Sequence, residues 1–267
     1  MLPFIDWKGQ FMSSTQSSGR GYRFLPGVRQ YSGGVVADRG HAMHRWTLDR
    51  ALPLAEGFDV IDEHLVRNGL SSQAVCALEL RSPEPSSEQG FADLNTTYLG
   101  LLDARGLLMG DVNPIARTNV CPSKSSVTAP SIFAVSYVRP TRESDARGTF
   151  VVSGSAEVPE GLDSYAEHAI AAGDCSAAGL VAKTEWVVDE MERRLHALGG
   201  RWSTCSEINA YTVEDTGPPA SVLDRRLPHG VLGTWWQAAP PVTGLAFEMD
   251  CRSVLSAVGP QSGESER

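Results

Sequence analysis

The sequence lacks long apolar runs and has a shortage of positive charge. No stretch approaches the roughly 18 apolar residues that a membrane-spanning helix needs, so we expect no membrane partner. There are 23 Lys and Arg against 32 Asp and Glu, which gives a formal net charge of −9. Nucleic-acid binders usually present a basic surface, so nucleic acid is not an expected partner either.

Several common site signatures are also missing. The five cysteines include no Cys-x-x-Cys pair, which argues against a zinc knuckle and against a dithiol redox site. No nucleotide-binding glycine motif and no G-x-S-x-G turn is present, so we predict no cofactor and no serine hydrolase. His41 and His44 lack an evident third ligand, and no metal site is predicted. Unpaired thiols and an N-terminus without an export signal predict a cytoplasmic protein.

The same order of elements occurs twice along the chain. A strand with Ser32-Gly33 precedes an amphipathic helix predicted over about 49–68, whose regular part begins near Pro53. A strand with Ser153-Gly154 precedes a second long helix, predicted over about 178–197. Glycine follows each helix and another strand follows the glycine. This order predicts a diverged duplication.

The spacing of short landmarks supports two copies. Ser153 follows Ser32 by 121 residues, and Cys205 follows Cys76, its counterpart after the helix, by 129 residues. A charged segment without apolar anchors separates the copies. The predicted organisation is a flexible lead-in over 1–20, a first domain over 21–140, a linker over 141–148, a diverged second domain over 149–256 and a disordered tail over 257–267.

Three motifs carry a resemblance to a known family. The first half contains Tyr31-Ser-Gly-Gly34, then an F-x-x-x-N-x-x-Y pattern at Phe91–Tyr98, then Arg117 and Val120 in the spacing R-x-x-V. These motifs resemble the RidA/YjgF family of imine and enamine deaminases, although one extra residue separates Pro114 from the arginine. The second half resembles it through residues 150–154 and the long helix.

The resemblance implies an α+β fold of two tandem RidA-like domains of the chorismate-mutase type. Each domain would be a mixed β-sheet with helices packed on one face. Domains of this family associate as trimers and form clefts between them, so a homotrimer is expected.

The resemblance also assigns the candidate site. Arg117 matches the arginine that clamps a substrate carboxylate, for which a planar guanidinium is well suited. The family's glutamate on the last strand has no counterpart in residues 131–137, whereas Glu248 lies two residues from that position in the second half. A composite cleft with Arg117 from one half and Glu248 from the other is our sharper hypothesis. Cys121 is a third catalytic candidate because a nearby cation lowers the pKa of a thiol.

Five further residues are predicted to contact substrate. The segment containing Tyr31, Ser32 and Gly33 would line the cleft, and Trp235 and Trp236 could stack on a conjugated substrate. Non-catalytic roles for these residues remain alternatives. Arg117 would then form a surface ion pair and Glu248 would be a solvated strand residue. Cys121 and one of the tryptophans would only pack against their neighbours.

These observations predict a cofactor-independent hydrolytic deaminase acting on a small enamine or imine acid, including aminomuconate-like acids. One alternative is an enzyme of specialised biosynthesis with non-deaminating chemistry, such as chorismatase-like hydrolysis or cyclisation of a conjugated acid. Another is a non-catalytic ligand-binding or assembly protein.

Overall fold

The computed structural model describes residues 14–124, 127–142, 148–162, 164–229, 231 and 233–256. Residues 1–13 of the predicted lead-in, residues 143–147 of the predicted linker and the whole predicted tail lie outside the described residues. No helix in the described ranges is long and apolar enough to cross a membrane.

Five helices and twelve strands are described. The helices are α1 (Leu54–Arg67), α2 (Glu88–Asp103), α3 (Tyr165–His168), α4 (Ala177–Ala197) and α5 (Gly217–Arg226). The strands are β1 (Gln16–Ser17), β2 (Tyr22–Leu25), β3 (Gly34–Ala37), β4 (His41–Pro53), β5 (Val75–Arg81), β6 (Ala116–Pro122), β7 (Ser131–Pro140), β8 (Phe150–Ala156), β9 (Glu207–Thr212), β10 (Thr234–Ala239), β11 (Glu248–Ser253) and β12 (Leu255–Ser256).

The two long predicted helices are present, and one boundary differs. Helix α4 begins within a residue of the predicted start. Helix α1 begins only at Leu54, because residues 49–53 still belong to β4. Pro53 precedes the first turn, where the missing proline N–H breaks no helical hydrogen bond. Gly69 follows α1 with φ of +70°, a backbone conformation that glycine adopts without a Cβ clash.

The strands form one sheet in the order β1-β2-β3-β8-β11-β9-β10-β6-β5-β7-β4-β12. We call β4–β7 the first half-sheet and β8–β11 the second half-sheet. They are joined where β10 pairs with β6 in antiparallel register, at Ala238 with Pro122 and Ala239 with Cys121. The hairpin β2–β3 precedes the first half-sheet along the chain, yet β3 pairs with β8 of the second.

Each half-sheet has helices on one face. Helices α1 and α2 pack on the first half-sheet around Phe58, Leu78 and Tyr98. Helices α4 and α5 pack on the second around Val188, Val222 and Phe247. The predicted α+β class, with helices on one face of each mixed sheet, is therefore confirmed.

The opposite faces of the half-sheets meet each other. A third apolar cluster combines side chains of both, among them Cys76, Ala116, Val138 and Val151. Alternation along β11 sends Met249 and Cys251 into the core beneath the helices. The residues between and beside them therefore face the other half-sheet, because successive strand side chains point to opposite sides.

Candidate functional site

The Ser-Gly pairs of both halves lie next to the backbone of Arg117. Its N–H on β6 donates to Ser153 Oγ at 3.0 Å, and the Ser153 hydroxyl donates to the carbonyl of Ser32 at 2.6 Å. Ser153 N–H also donates to the carbonyl of Gly33 at 3.2 Å. The landmark of the second half thus fixes the strand that carries the arginine of the first half.

The side chain of Arg117 is only 3% exposed and has no acidic partner among the described residues. Its Nη1 donates to Asn95 Oδ1 at 2.8 Å. Its guanidinium carbon lies 4.7 Å from the ring centre of Tyr31, 4.9 Å from that of Tyr98 and 5.6 Å from that of Phe91. A buried cation is normally paired, so this arginine holds its charge available for an anionic ligand.

Helix α2 supplies three of these contacts from one face. Phe91, Asn95 and Tyr98 are spaced by four and three residues, which places them in one row along the helix. Ser87 caps the helix by accepting from Gly90 N–H at 3.2 Å. The helix therefore presents two aromatic rings and one amide to the guanidinium.

Glu248 begins β11 and is 4% exposed. Its Oε1 lies so close to Gly154 that a side chain at position 154 would overlap with it, which explains the glycine in this strand. Burial raises the pKa of the Glu248 carboxyl well above its usual range, and the charge of Asp250 raises it further. The positive charge of Arg117 opposes this shift. The environment therefore favours the neutral acid.

Arg117 and Glu248 line the same cleft, which has a volume of about 40 Å³. The cleft has a polar floor, three aromatic rings and an aliphatic wall. Its lining residues are Tyr31, Phe91, Arg117, Asn119, Gly154, Ala156, Tyr165, Pro241, Val242, Leu245 and Glu248.

A buried ionic pair supports the aromatic wall. Tyr31 hydroxyl donates to Glu160 Oε1 at 2.8 Å, and Glu160 pairs with Arg194 of α4 at 2.9 Å. Burial raises the pKa of Tyr31, and so does the adjacent carboxylate of Glu160. Tyr31 is therefore held as a neutral phenol whose ring covers the guanidinium.

Comparisons with known proteins show the family of this chain. The family described as "2-aminomuconate deaminase CnbZ" matches residues 14–258. The "2-amino-5-chloromuconate deaminase" of Comamonas testosteroni is 39% identical over 236 residues, which is 88% of this chain and 94% of the relative. The chain belongs to the CnbZ family. It is therefore an enzyme of the deaminase class, and the predicted RidA-like deaminase is confirmed at that level.

Solved structures match the fold of this CnbZ-family chain. A chorismatase crystal structure covers 83% of this chain and 77% of its own, with a TM-score of 0.52 and 12% identity. At that identity the match shows the fold alone. The RidA structure from the Antarctic bacterium Psychrobacter sp. PAMC 21119 covers 40% of this chain and 80% of its own, with a TM-score of 0.30 and 16% identity.

The remaining predicted residues of the CnbZ-family chain lie outside the cleft lining. Ser32 is fully buried behind it and contributes its carbonyl to Ser153, while Gly33 pairs with the same strand. Cys121 is buried beside β10, and burial raises the pKa of its thiol to about 12. That direction is opposite to the lowering that we expected from Arg117, so its surroundings favour the thiol over the thiolate.

The two tryptophans are also elsewhere. Trp235 lines a separate pocket beside α5 with Leu223 and His229, and its ring contacts Phe247. Trp236 is 45% exposed and donates from its indole nitrogen to Asn209 Oδ1 at 2.9 Å. Strand alternation points these neighbours to opposite faces of β10, and neither lines the cleft that contains Arg117.

Several residues in and next to the cleft were not predicted from the sequence. Asn95 and Tyr98 contact Arg117 without lining the cleft, and the face that they share with Phe91 in the helix motif was the signal that they contact one partner. Asn119 follows Arg117 by two residues on β6, so strand periodicity alone placed it on the same side. Tyr165 and Leu245 lie in segments without a recognisable pattern. In the described ranges, no group of three or more His, Cys, Asp or Glu is arranged to hold a metal ion.

Proposed function

We propose that the protein hydrolyses a 2-aminomuconate-like enamine acid to the corresponding 2-oxo acid and ammonia. The observation that carries this proposal is that two buried groups line one cleft. They are Arg117, which has no acidic partner among the described residues, and Glu248, whose surroundings favour the neutral acid. The names of the family and of the Comamonas testosteroni relative support the substrate class.

In the proposed reaction, Arg117 binds the carboxylate next to the amine-bearing carbon through charge-assisted hydrogen bonds. The enamine first shifts a proton to carbon and becomes the imine. Water then adds to the C=N carbon to form the tetrahedral amino alcohol. Breaking of the C–N bond releases ammonia and leaves the C=O group of the 2-oxo acid.

Glu248 is the proton carrier in this proposal. As the neutral acid it donates a proton to the imine nitrogen while water adds, and it recovers one from the oxygen of that water. It repeats the exchange when the C–N bond breaks, donating to the departing nitrogen and recovering the hydroxyl proton as the C=O group forms. Its Oε1 lies beside Gly154, in the lining of the cleft that Arg117 also lines. The apolar wall of Pro241, Val242 and Leu245 would pack against the conjugated carbon chain.

Ammonia release from enzymatically generated 2-aminomuconate tests the proposal. We expect Arg117→Ala to lower kcat/KM by about 100-fold, because charge-assisted hydrogen bonds to the substrate are lost. Arg117→Lys should recover only part of the loss, since lysine keeps the charge without the planar fork. The exposed Arg50, which only approaches Glu56 at 3.5 Å, gives a matched control in Arg50→Ala.

Unchanged turnover in Arg117→Ala would remove the central assignment. Consumption of chorismate without ammonia release would instead favour the chorismatase-like alternative. The non-catalytic alternative is not retained, because the family consists of enzymes by its description.

Assembly and compartment stay predictions. We propose a homotrimer in the cytoplasm, as the resemblance and the unpaired thiols predict. A mass in solution that corresponds to one chain would contradict the trimer.

A further inference from the structure

Asn119 carries a buried donor with no partner in the protein. Its side chain is 4% exposed, and its Oδ1 accepts from Ser82 Oγ at 3.1 Å. Its Nδ2 has no hydrogen-bond partner. In the described part of the chain, five buried side-chain polar atoms are unpaired, and only this one belongs to a residue that lines the cleft.

A buried donor in the lining of a cleft is available to a bound ligand. Leaving a buried polar group without a partner is costly, and nearly all such groups in proteins are satisfied. The carbonyl end of this amide is already held by Ser82, whose own N–H donates to the carbonyl of Val120 at 3.0 Å. The NH₂ end therefore remains for the ligand, and it can only donate.

Arg117 and Asn119 reach the cleft from one strand. They are two residues apart on β6, so their side chains leave the same side of the strand, and both line the cleft. The strand thus offers a cation and an amide donor to one ligand, and a molecule with two carboxylates can use both.

We infer that Asn119 is a specificity-determining residue whose amide donates to the second carboxylate of a dicarboxylic substrate. This inference rests on the proposed function. It goes further because it names the side chain that distinguishes dicarboxylic from monocarboxylic enamine acids. Ser82 is the positioning residue that fixes which end of the amide faces the cleft.

Two unreactive ligands test the inference without turnover. Muconate (hexa-2,4-dienedioate) and sorbate (hexa-2,4-dienoate) share the conjugated chain and differ only at the second carboxylate. We expect the wild-type protein to bind muconate at least tenfold more tightly than sorbate in calorimetric titrations. Asn119→Ala should weaken muconate binding by about 10- to 100-fold and sorbate binding by less than threefold.

The isosteric substitution Asn119→Asp tests whether the amide acts as a donor, because it replaces the NH₂ group by a carboxylate oxygen. It places a carboxylate opposite the second carboxylate of muconate, so muconate should bind no more tightly than sorbate. Asn68→Ala, which removes an exposed amide at the end of α1, is the matched control and should change neither affinity.

Three results would overturn the inference. Equal losses for muconate and sorbate in Asn119→Ala would indicate general damage to the cleft, and wild-type muconate affinity in Asn119→Asp would show that the Asn119 NH₂ group does not donate to the carboxylate. Equal wild-type affinities for both ligands would show that the second carboxylate is not recognised. These outcomes are distinct from failure of the proposed function, which would appear as absence of ammonia release from 2-aminomuconate by the wild-type enzyme.

Discussion

The chemistry of Glu248 is set by its neighbours more than by its residue type. A carboxyl group on an exposed strand would be ionised at neutral pH. Here the side chain is buried against Gly154, and Asp250 lies two residues along the same strand. Burial and the adjacent negative charge both favour the neutral acid, and Arg117 limits the effect. A proton donor is the form that departing ammonia requires.

Glu248→Gln is expected to lower kcat by at least about 100-fold, the usual contribution of a general acid. The pH dependence of kcat/KM shows which protonation state of Glu248 is active. A donor with a raised pKa is active while protonated, so wild-type kcat/KM should fall as pH rises through that pKa. The residual activity of Glu248→Gln should lack this alkaline decline. Assays of ammonia release across pH check both effects.

The control for this variant is Glu63→Gln, at an exposed position on α1. It should keep the wild-type pH profile. If the alkaline decline persists in Glu248→Gln, a different group is responsible for it, and Tyr165 at the cleft would be the next residue to test.

At the level of elements, one buried ion pair connects the segments that carry the site. Lys183 Nζ of α4 lies 3.1 Å from Glu157 Oε1 and donates to the carbonyl of Ile170 at 3.1 Å. Glu157 also accepts from the N–H groups of Ala246 at 2.6 Å and Phe247 at 3.0 Å. These two residues directly precede Glu248. The pair therefore fixes where β11 begins, and it ties down the segment that follows α3.

Lys183→Met is expected to destabilise the protein by about 3–5 kcal/mol, because it leaves the Glu157 carboxylate buried without a counter-charge. The double variant Glu157→Gln with Lys183→Met should recover part of that loss, since no uncompensated charge remains. Urea unfolding of the single and double variants measures the free energies. In the folded Lys183→Met protein, kcat should fall more than KM rises.

Two observations would contradict this assignment. One is a loss below about 1 kcal/mol in Lys183→Met, which would mean that the ion pair contributes little. The other is a double variant less stable than either single variant, which would mean that the carboxylate is satisfied by its backbone donors alone.

Across the whole molecule, an ionic cluster joins the facing half-sheets. Arg252 of β11 contacts Glu79 of β5 across the interface and donates to Asp250 on its own strand at 2.8 Å. Arg45 of β4 pairs with Glu79 at 2.6 Å. Burial alone would raise the pKa of Glu79, but Arg252 and Arg45 outweigh it and hold the pKa at about 2.

This depressed pKa predicts how acid affects stability. Glu79 has a lower pKa folded than unfolded, so its contribution is present above about pH 4.5 and is lost as pH falls toward about 2. Glu79→Gln should therefore lower the free energy of unfolding by about 3 kcal/mol at pH 7. The difference from wild type should shrink between pH 4.5 and pH 2 in urea unfolding. A difference that is constant with pH would show that the charge is not responsible.

The sequence predicted where helices and strands lie more closely than it predicted which strands pair. The apolar spacing of α1 and the glycine after it located that helix, because one buried face and a left-handed residue at its end are local properties. The apolar pattern extended back to residue 49, and Pro53 located the start of the regular helix, which begins at Leu54. Residues 49–53 belong to β4 instead, because that strand continues to Pro53 through pairing with β7. Pairing with a distant strand leaves no local signal.

In the candidate site, too, local motifs were predicted and long-range contacts were not. Arg117 and Glu248 could be proposed from motifs, but their common cleft depends on two half-sheets that meet face to face. Cys121, Trp235 and Trp236 were chosen for their side-chain chemistry. The burial of the thiol and the position of β10 at the junction of the half-sheets decided their surroundings instead.

The sequence by itself determined the α+β class, the long helices, the resemblance to deaminases and Arg117 as a candidate site residue. These follow from periodicity and from short motifs, which are encoded within a few turns or strands. Only the tertiary structure decided that β3 pairs with β8, that Asn95 and three aromatic rings surround Arg117, and that Glu248 is buried beside Gly154. Desolvation and long-range strand pairing depend on residues that are distant in the sequence, so they exist only once the chain has folded.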